Sequence, residues 1–150
     1  MSQKIALRLL IVDPDDDLRS VMATLFELMG CTVEAARNGA EAMAGVKVSM
    51  PDVVLTELVL GDVDGFKLAS QLRSHAGAEN VVLLAHTATY RKGMEIEALK
   101  AGFASYLLKP ARMERVLSVL EPIAAVKGRR LLALNVERAY GDVCANRSCH

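Results

Sequence analysis

An alternation constrains this chain most: short, nearly unbroken apolar runs separated by stretches whose apolar residues recur at helical spacing. Leu7 to Val12 is such a run, ending in an acidic cluster, and reads as a strand buried on both faces. After it Leu18, Val21, Met22, Leu25, Leu28 and Met29 form a helical stripe that stops at Gly30, a natural C-terminal cap. The same pair of signals repeats. Thr32–Ala36 suits a strand and Ala40–Val48 a helix; Val53–Thr56 suits a strand. The loop Gly61–Gly65 leads into a helix from about Phe66 to Arg73. Val81–Ala85 and Ser105–Leu108 are the last two strands, with a helix from about Lys92 to Ala101 between them. Met113, Val116, Leu117 and Leu120 mark a final helix, which Pro122 is expected to kink or stop.

Strands alternating with helices predict a parallel sheet covered on both faces by right-handed crossovers. In such a sheet ligands sit beyond the carboxyl ends of the strands. Asp13 stands at the first of these ends, Glu57 at the third, Thr87 beyond the fourth and Lys109 beyond the fifth. Two carboxylates, a hydroxyl and an ammonium suit a phosphoryl group or a divalent cation. Polar residues crown buried strands in any protein, so no one of the four carries the reading; their complementarity does.

Composition removes several classes. With 52% hydrophobic residues in 150, the chain affords one substantial core. Lysine plus arginine equals aspartate plus glutamate at 18 each, which argues against nucleic-acid binding through bulk charge. No apolar run approaches the roughly 18 residues of a membrane span, and Met1–Arg8 lacks a secretory apolar core. Three cysteines make no disulfide framework, so the expected compartment is the cytoplasm.

From about residue 7 to 126 the chain resembles the receiver domains of two-component response regulators, of the CheY-like, flavodoxin-like fold. The resemblance rests on Leu9-Leu10-Ile11-Val12-Asp13, on Asp64-Gly65-Phe66 seven residues past Glu57, on Thr87-Ala88, and on Ala101-Gly102 before Tyr106-Leu107-Leu108-Lys109-Pro110. It implies a doubly wound five-stranded parallel sheet in the order 2-1-3-4-5 with helices on both faces. It also implies a signalling protein and not an enzyme. Family members take a phosphoryl group from a histidine kinase onto an aspartate beside magnesium. Matched residue by residue, Thr87 is the switch threonine, Tyr106 the switch aromatic and Lys109 the family's lysine. Asp13 is the first acidic residue, and Val59 is the position whose backbone carbonyl reaches the metal. The Lys109-Pro110 bond resembles one that is usually cis. A signalling partner is expected on the face of the fourth helix and fifth strand; a histidine kinase and a second copy of the chain are further partners.

Two departures bear on chemistry. Glu57 occupies the phosphoacceptor position, and Pro14 replaces the second acidic residue. Glutamate sets its carboxylate one methylene further out, and a misplacement of about 1 Å can cost on the order of a hundredfold in rate. Pro14 removes a carboxylate, so magnesium binding is expected to be weak, with Asp15 or Asp16 as substitutes if they fold back. Their ordinary role is to cap the first helix. Gly61, where the family commonly has proline, loosens the following loop. The expectation is an atypical receiver working without normal aspartyl phosphorylation. Glu57 either imitates the phosphorylated state through Lys109 and Thr87 or pairs with Lys109 to hold an inactive one.

A competing reading takes Asp13-Pro14-Asp15 as the Asp-x-Asp motif of haloacid-dehalogenase-type phosphatases. There Asp13 is the nucleophile, Asp15 the general acid, Lys109 the phosphate clamp and Gly61-Asp62 the metal loop. The receiver domain is assigned to 1–126 and a tail to 127–150, helical from about 129 to 140, where Leu132, Val136, Ala139 and Tyr140 share a face. That tail is too short for a DNA-binding output domain, so the output is read as protein contact. Cys144, Cys149 and His150 read as a frayed end and Cys31 as a small core residue. His86 reads as a partly buried strand-end histidine and His75 as a solvated one.

Overall fold

The computed structural model describes residues 7–127. Five parallel strands are joined by helices: β1 (Arg8–Val12), α1 (Asp16–Leu28), β2 (Thr32–Ala36), α2 (Gly39–Val48), β3 (Val53–Thr56), α3 (Gly65–Arg73), β4 (Val82–Thr87), α4 (Met94–Lys100), β5 (Phe103–Leu108) and α5 (Met113–Val126). The sheet order is β2-β1-β3-β4-β5, as expected for a doubly wound flavodoxin-like sheet. A single 3-10 turn, Ala78–Asn80, precedes β4 and has no counterpart in the periodicity analysis.

Side-chain alternation divides the core into two layers. Leu9 and Ile11 of β1, Val53 and Leu55 of β3 and Leu84 of β4 pack with Met22 and Phe26 of α1 and with Val116 and Leu120 of α5. Leu10, Val12, Val54, Leu83 and Ala85 point the other way, onto Ala42 and Val46 of α2, Leu68 and Leu72 of α3 and Ala98 of α4. Full burial of each large aliphatic side chain contributes about 1.5–3 kcal/mol. Both faces of the central strands are thereby sealed, and their carboxyl ends are left as the polar edge.

The starts of the first three helices are capped by side chains. Asp15, Asn38 and Asp64 cap α1, α2 and α3, their side chains accepting from the N–H groups of Leu18, Glu41 and Lys67. Asp62 reinforces α2 from another loop, its carboxylate accepting from Gly39 and Ala40 N–H at 3.0 Å each. α5 does not stop at Pro122. Pro122 and Ser118, whose carbonyl loses its helical donor there, lie on the exposed side, where water serves. Leu117, Leu120 and Ala124 hold the other side to the sheet. The tail, with the expected helix at 129–140 and Cys144, Cys149 and His150, lies outside the described residues.

Candidate functional site

Parallel pairing places the first two carboxylates side by side. β1 and β3 are neighbours in register Val12↔Thr56, so the residues that follow, Asp13 and Glu57, emerge together. The Asp13 N–H donates to the Ala36 carbonyl at 3.0 Å and the Glu57 N–H to the Val12 carbonyl at 2.8 Å. These bonds fix where both side chains start. On the other side, the Lys109 N–H donates to the Thr87 carbonyl at 2.8 Å, tying the end of β5 to that of β4. The Lys109-Pro110 peptide is cis.

Lys109 joins the edge together. Its Nζ donates to Asp13 Oδ2 at 2.7 Å and lies 2.8 Å from Glu57 Oε2, although these side chains start two and three strands apart. Asp13 and Glu57 are buried and the Lys109 side chain is nearly so. Glu57 curls back over its own strand end: Oε1 accepts from Leu58 N–H at 2.7 Å and from Val59 N–H at 3.3 Å, and Oε2 from Ala88 N–H at 3.4 Å. Thr87, fully buried, also hydrogen-bonds the Glu57 carboxylate. Burial alone would push the Glu57 carboxyl up, but the bonds from Lys109, Thr87 and Leu58 outweigh it and hold it below the usual carboxylate value. Burial would lower the Lys109 ammonium, and its bonds to Asp13 and Glu57 reverse the sign and raise it.

The remaining oxygen of Asp13 is engaged by the loop. Pro14 has no N–H, so Asp13 Oδ1 accepts instead from Asp15 N–H at 2.9 Å. Neither substitute folds back: the Asp15 carboxylate caps α1 and that of Asp16 pairs with Arg19. Arg19 is a site residue that sequence reasoning passed over. Its guanidinium donates to the Asp13 carbonyl at 2.7 Å, bracing the turn from α1. An arginine one turn into a helix that opens on an acidic cluster was the available signal.

Around this core stand the remaining predicted residues. Thr87 Oγ accepts from Thr89 N–H at 3.1 Å. The Tyr106 hydroxyl donates to the Thr89 carbonyl at 2.5 Å and lies 3.4 Å from the Met94 sulfur, so the ring is packed against α4. Val59 sits at the rim, its side chain exposed, and bridges to Asp64 to close the loop between them. Gly61 has φ +88°, a region closed to proline, so the loop follows a path the family's common proline would forbid. Gly65 approaches the β3 end so closely that a Cβ there would lie 2.9 Å from Leu58 Cα, which explains the Asp-Gly pair. Among the described residues no group of three or more His, Cys, Asp or Glu side chains is arranged to hold a metal ion. The carboxylates nearest to that role are Asp13 and Glu57. Cys31 is buried, its thiol pushed up to about 11 by burial, in keeping with a core residue.

Comparison with known proteins gives a consistent result. The family described as response regulator receiver domain matches residues 9–121. The regulatory protein AtoC of Escherichia coli is 32% identical over 114 residues, covering 76% of this chain and 24% of AtoC. The chemotaxis protein CheY of Listeria monocytogenes is 29% identical over 119 residues, covering 79% of this chain and 98% of that one. A putative response regulator from Chloroflexus aurantiacus superposes with a TM-score of 0.73 at 28% identity, over 80% of this chain and 98% of its own. The chain thus spans about a quarter of AtoC and nearly the whole of that CheY. Nothing in these likenesses supports the haloacid-dehalogenase reading, and Asp15 and Asp62, which it requires, cap α1 and α2.

Proposed function

The chain belongs to the response regulator receiver domain family, and from that premise we propose that it is an atypical receiver whose Glu57 supplies internally the anion that phosphorylation would otherwise provide. One observation carries the reading: the Glu57 carboxylate already engages Lys109 Nζ, Thr87 and the N–H of Ala88. In a receiver these are the groups that answer a phosphoryl group on the acceptor. The bond of Thr87 to Glu57 and that of the Tyr106 hydroxyl to Thr89 support an engaged switch. The pair with Lys109 is common to both roles open to Glu57, and the bonds to Thr87 and Ala88 support the proposed one, imitation of the phosphorylated state.

Magnesium, which receivers ordinarily bind, would find a weakened site at Asp13, Glu57 and the Val59 carbonyl. Both oxygens of Asp13 and both of Glu57 are held by N–H or ammonium donors, and position 14 contributes no carboxylate. A cation would have to compete with Lys109 and these backbone N–H groups for the carboxylate oxygens. Beside the Val59 carbonyl only the carboxylate that Pro14 replaces is missing.

Output in this proposal is protein contact in the cytoplasm, without enzymatic turnover. Tyr90, Ile96, Leu99 and Leu108 are exposed on and around α4 and β5, the elements against which and on which Tyr106 lies. A partner seated there would read the position of Tyr106, and a second copy of this chain or a histidine kinase are its other candidates. No helix of the described residues is long and apolar enough to cross a membrane.

The test is intact-mass analysis after incubation with acetyl phosphate and magnesium. The mass is expected to stay unchanged. A stoichiometric phosphoryl adduct that disappears in Glu57→Gln would sink the proposal.

A further inference from the structure

On the α1–α5 face of β4, opposite to the side where Thr87 points, the structure holds a cavity of about 280 Å³. Leu18, Met22 and Leu25 of α1 form one wall, Met113 and Val116 of α5 the other, and His86 of β4 lines it beneath them. The wall is hydrocarbon and thioether. His86 is different: its side chain is 5% exposed and makes no hydrogen bond among the described residues. A neutral imidazole carries one donor and one acceptor, and among the described residues no fully buried side-chain nitrogen is left without a partner, so the His86 nitrogens are reached by solvent. Burial, aided by the neighbouring Lys109 charge, disfavours the imidazolium, so His86 presents that neutral pair. The Lys109 stem also borders the cavity, but its ammonium is committed to Asp13 and Glu57.

We propose that this cavity binds a small, mostly apolar molecule with a single hydroxyl or carbonyl, anchored on His86. A mainly hydrocarbon pocket with one convergent polar group is the usual make-up of a small-molecule site. The volume suits a single substituted ring. The polar group sits on the sheet beneath the helix layer, and the cavity opens at a rim that includes the exposed Val21 and Pro110. A free molecule reaches that depth more readily than the surface of a protein docked across α1 and α5. The occupant would touch His86, adjacent to Thr87 in the chain, and the stem of Lys109, so it would lie directly behind the switch. The site does not depend on whether Glu57 accepts a phosphoryl group, and its test is separate from that question.

The probe is p-cresol, titrated against the full chain with methyl-labelled methionine and followed by NMR, with toluene as the control that lacks the hydroxyl. Saturable shifts of the Met22 and Met113 methyls are expected, with a Kd on the order of 1 mM for so small a ligand. Toluene should bind about fivefold more weakly, the net worth of one hydrogen bond. His86→Phe, which fills the floor, should remove binding; Leu25→Trp, which blocks the half-buried rim, serves should the first variant not fold. Absence of saturable shifts would overturn the proposal, as would unchanged affinity in a folded variant of either kind. Equal affinity for p-cresol and toluene would also overturn it, marking the hollow as a seat for apolar side chains of a protein partner.

Discussion

Replacing Lys109 by methionine keeps the stem and removes the charge that two buried carboxylates share. The N···O separations of 2.7 and 2.8 Å correspond to a Coulomb attraction of about 6 kcal/mol each at an effective dielectric of about 20, before the cost of burying the ions. Most of that is offset by desolvation, and breaking a buried pair by removing one partner costs about 3–5 kcal/mol net. A loss of that size is a large share of the 5–15 kcal/mol that holds a typical domain together. Urea unfolding at neutral pH should show the midpoint falling by that equivalent with the slope unchanged. Adding Glu57→Gln to Lys109→Met should return part of the loss, because only Asp13 is then left uncompensated. A cost below about 1 kcal/mol, the worth of an exposed pair, would refute the reasoning, as would strict additivity in the double variant.

Other consequences are open to measurement. Glu57 is held below its ordinary value in the fold, so its stabilisation is complete above the unfolded value of about 4.3 and is lost as pH falls through the lower folded one. Lys109 is held above its ordinary value, so its share is complete below about 10.4 and is lost as pH rises through the folded value. Buried neutral His86 and Cys31 narrow the plateau, because the unfolded imidazole takes up a proton below about 6.5 and the unfolded thiol loses one above about 8.5. Thermal melts should therefore give an optimum between about 6.5 and 8.5, and Glu57→Gln should reduce the further loss below about 4.3. Gly65→Ala, which drives a Cβ to within 3.0 Å of Leu58 backbone and the Glu57 carbonyl, should cost about 1–3 kcal/mol in chemical denaturation. Glu57→Asp should yield a slow phosphoryl adduct with acetyl phosphate where the natural chain gives none, and adding Pro14→Asp should speed it; mass spectrometry at timed intervals checks both.

The sheet was legible because its strands are buried on both faces and so read as apolar runs, which also made Asp13, Glu57 and Lys109 stand out as the polar residues ending them. Strand order came from the resemblance, since periodicity alone does not say which strands are neighbours. β4 was read as ending at Ala85, but His86 and Thr87 continue it by pairing with Leu107 and Leu108. Two polar residues closing a strand look like a loop until a neighbouring strand takes up their backbone groups. Tertiary partners hid other features. Nothing local announces that Asp62 caps a helix more than twenty residues earlier, or that Arg19 braces the Asp13 carbonyl. Pro122 shows the converse: a strong local stop signal is overridden when the lost bond faces water and the opposite face is packed.

The central claim is that the anion read by Lys109 and Thr87 is already present in the unmodified chain. It is tested most directly by amide NMR spectra with and without beryllofluoride and magnesium, reagents that together imitate an acyl phosphate. The account predicts that the amides of Thr87, Ala88, Tyr106 and Lys109 stay where they are in the natural chain and move in Glu57→Asp combined with Pro14→Asp. A new, slowly exchanging set of these resonances in the natural chain would contradict it.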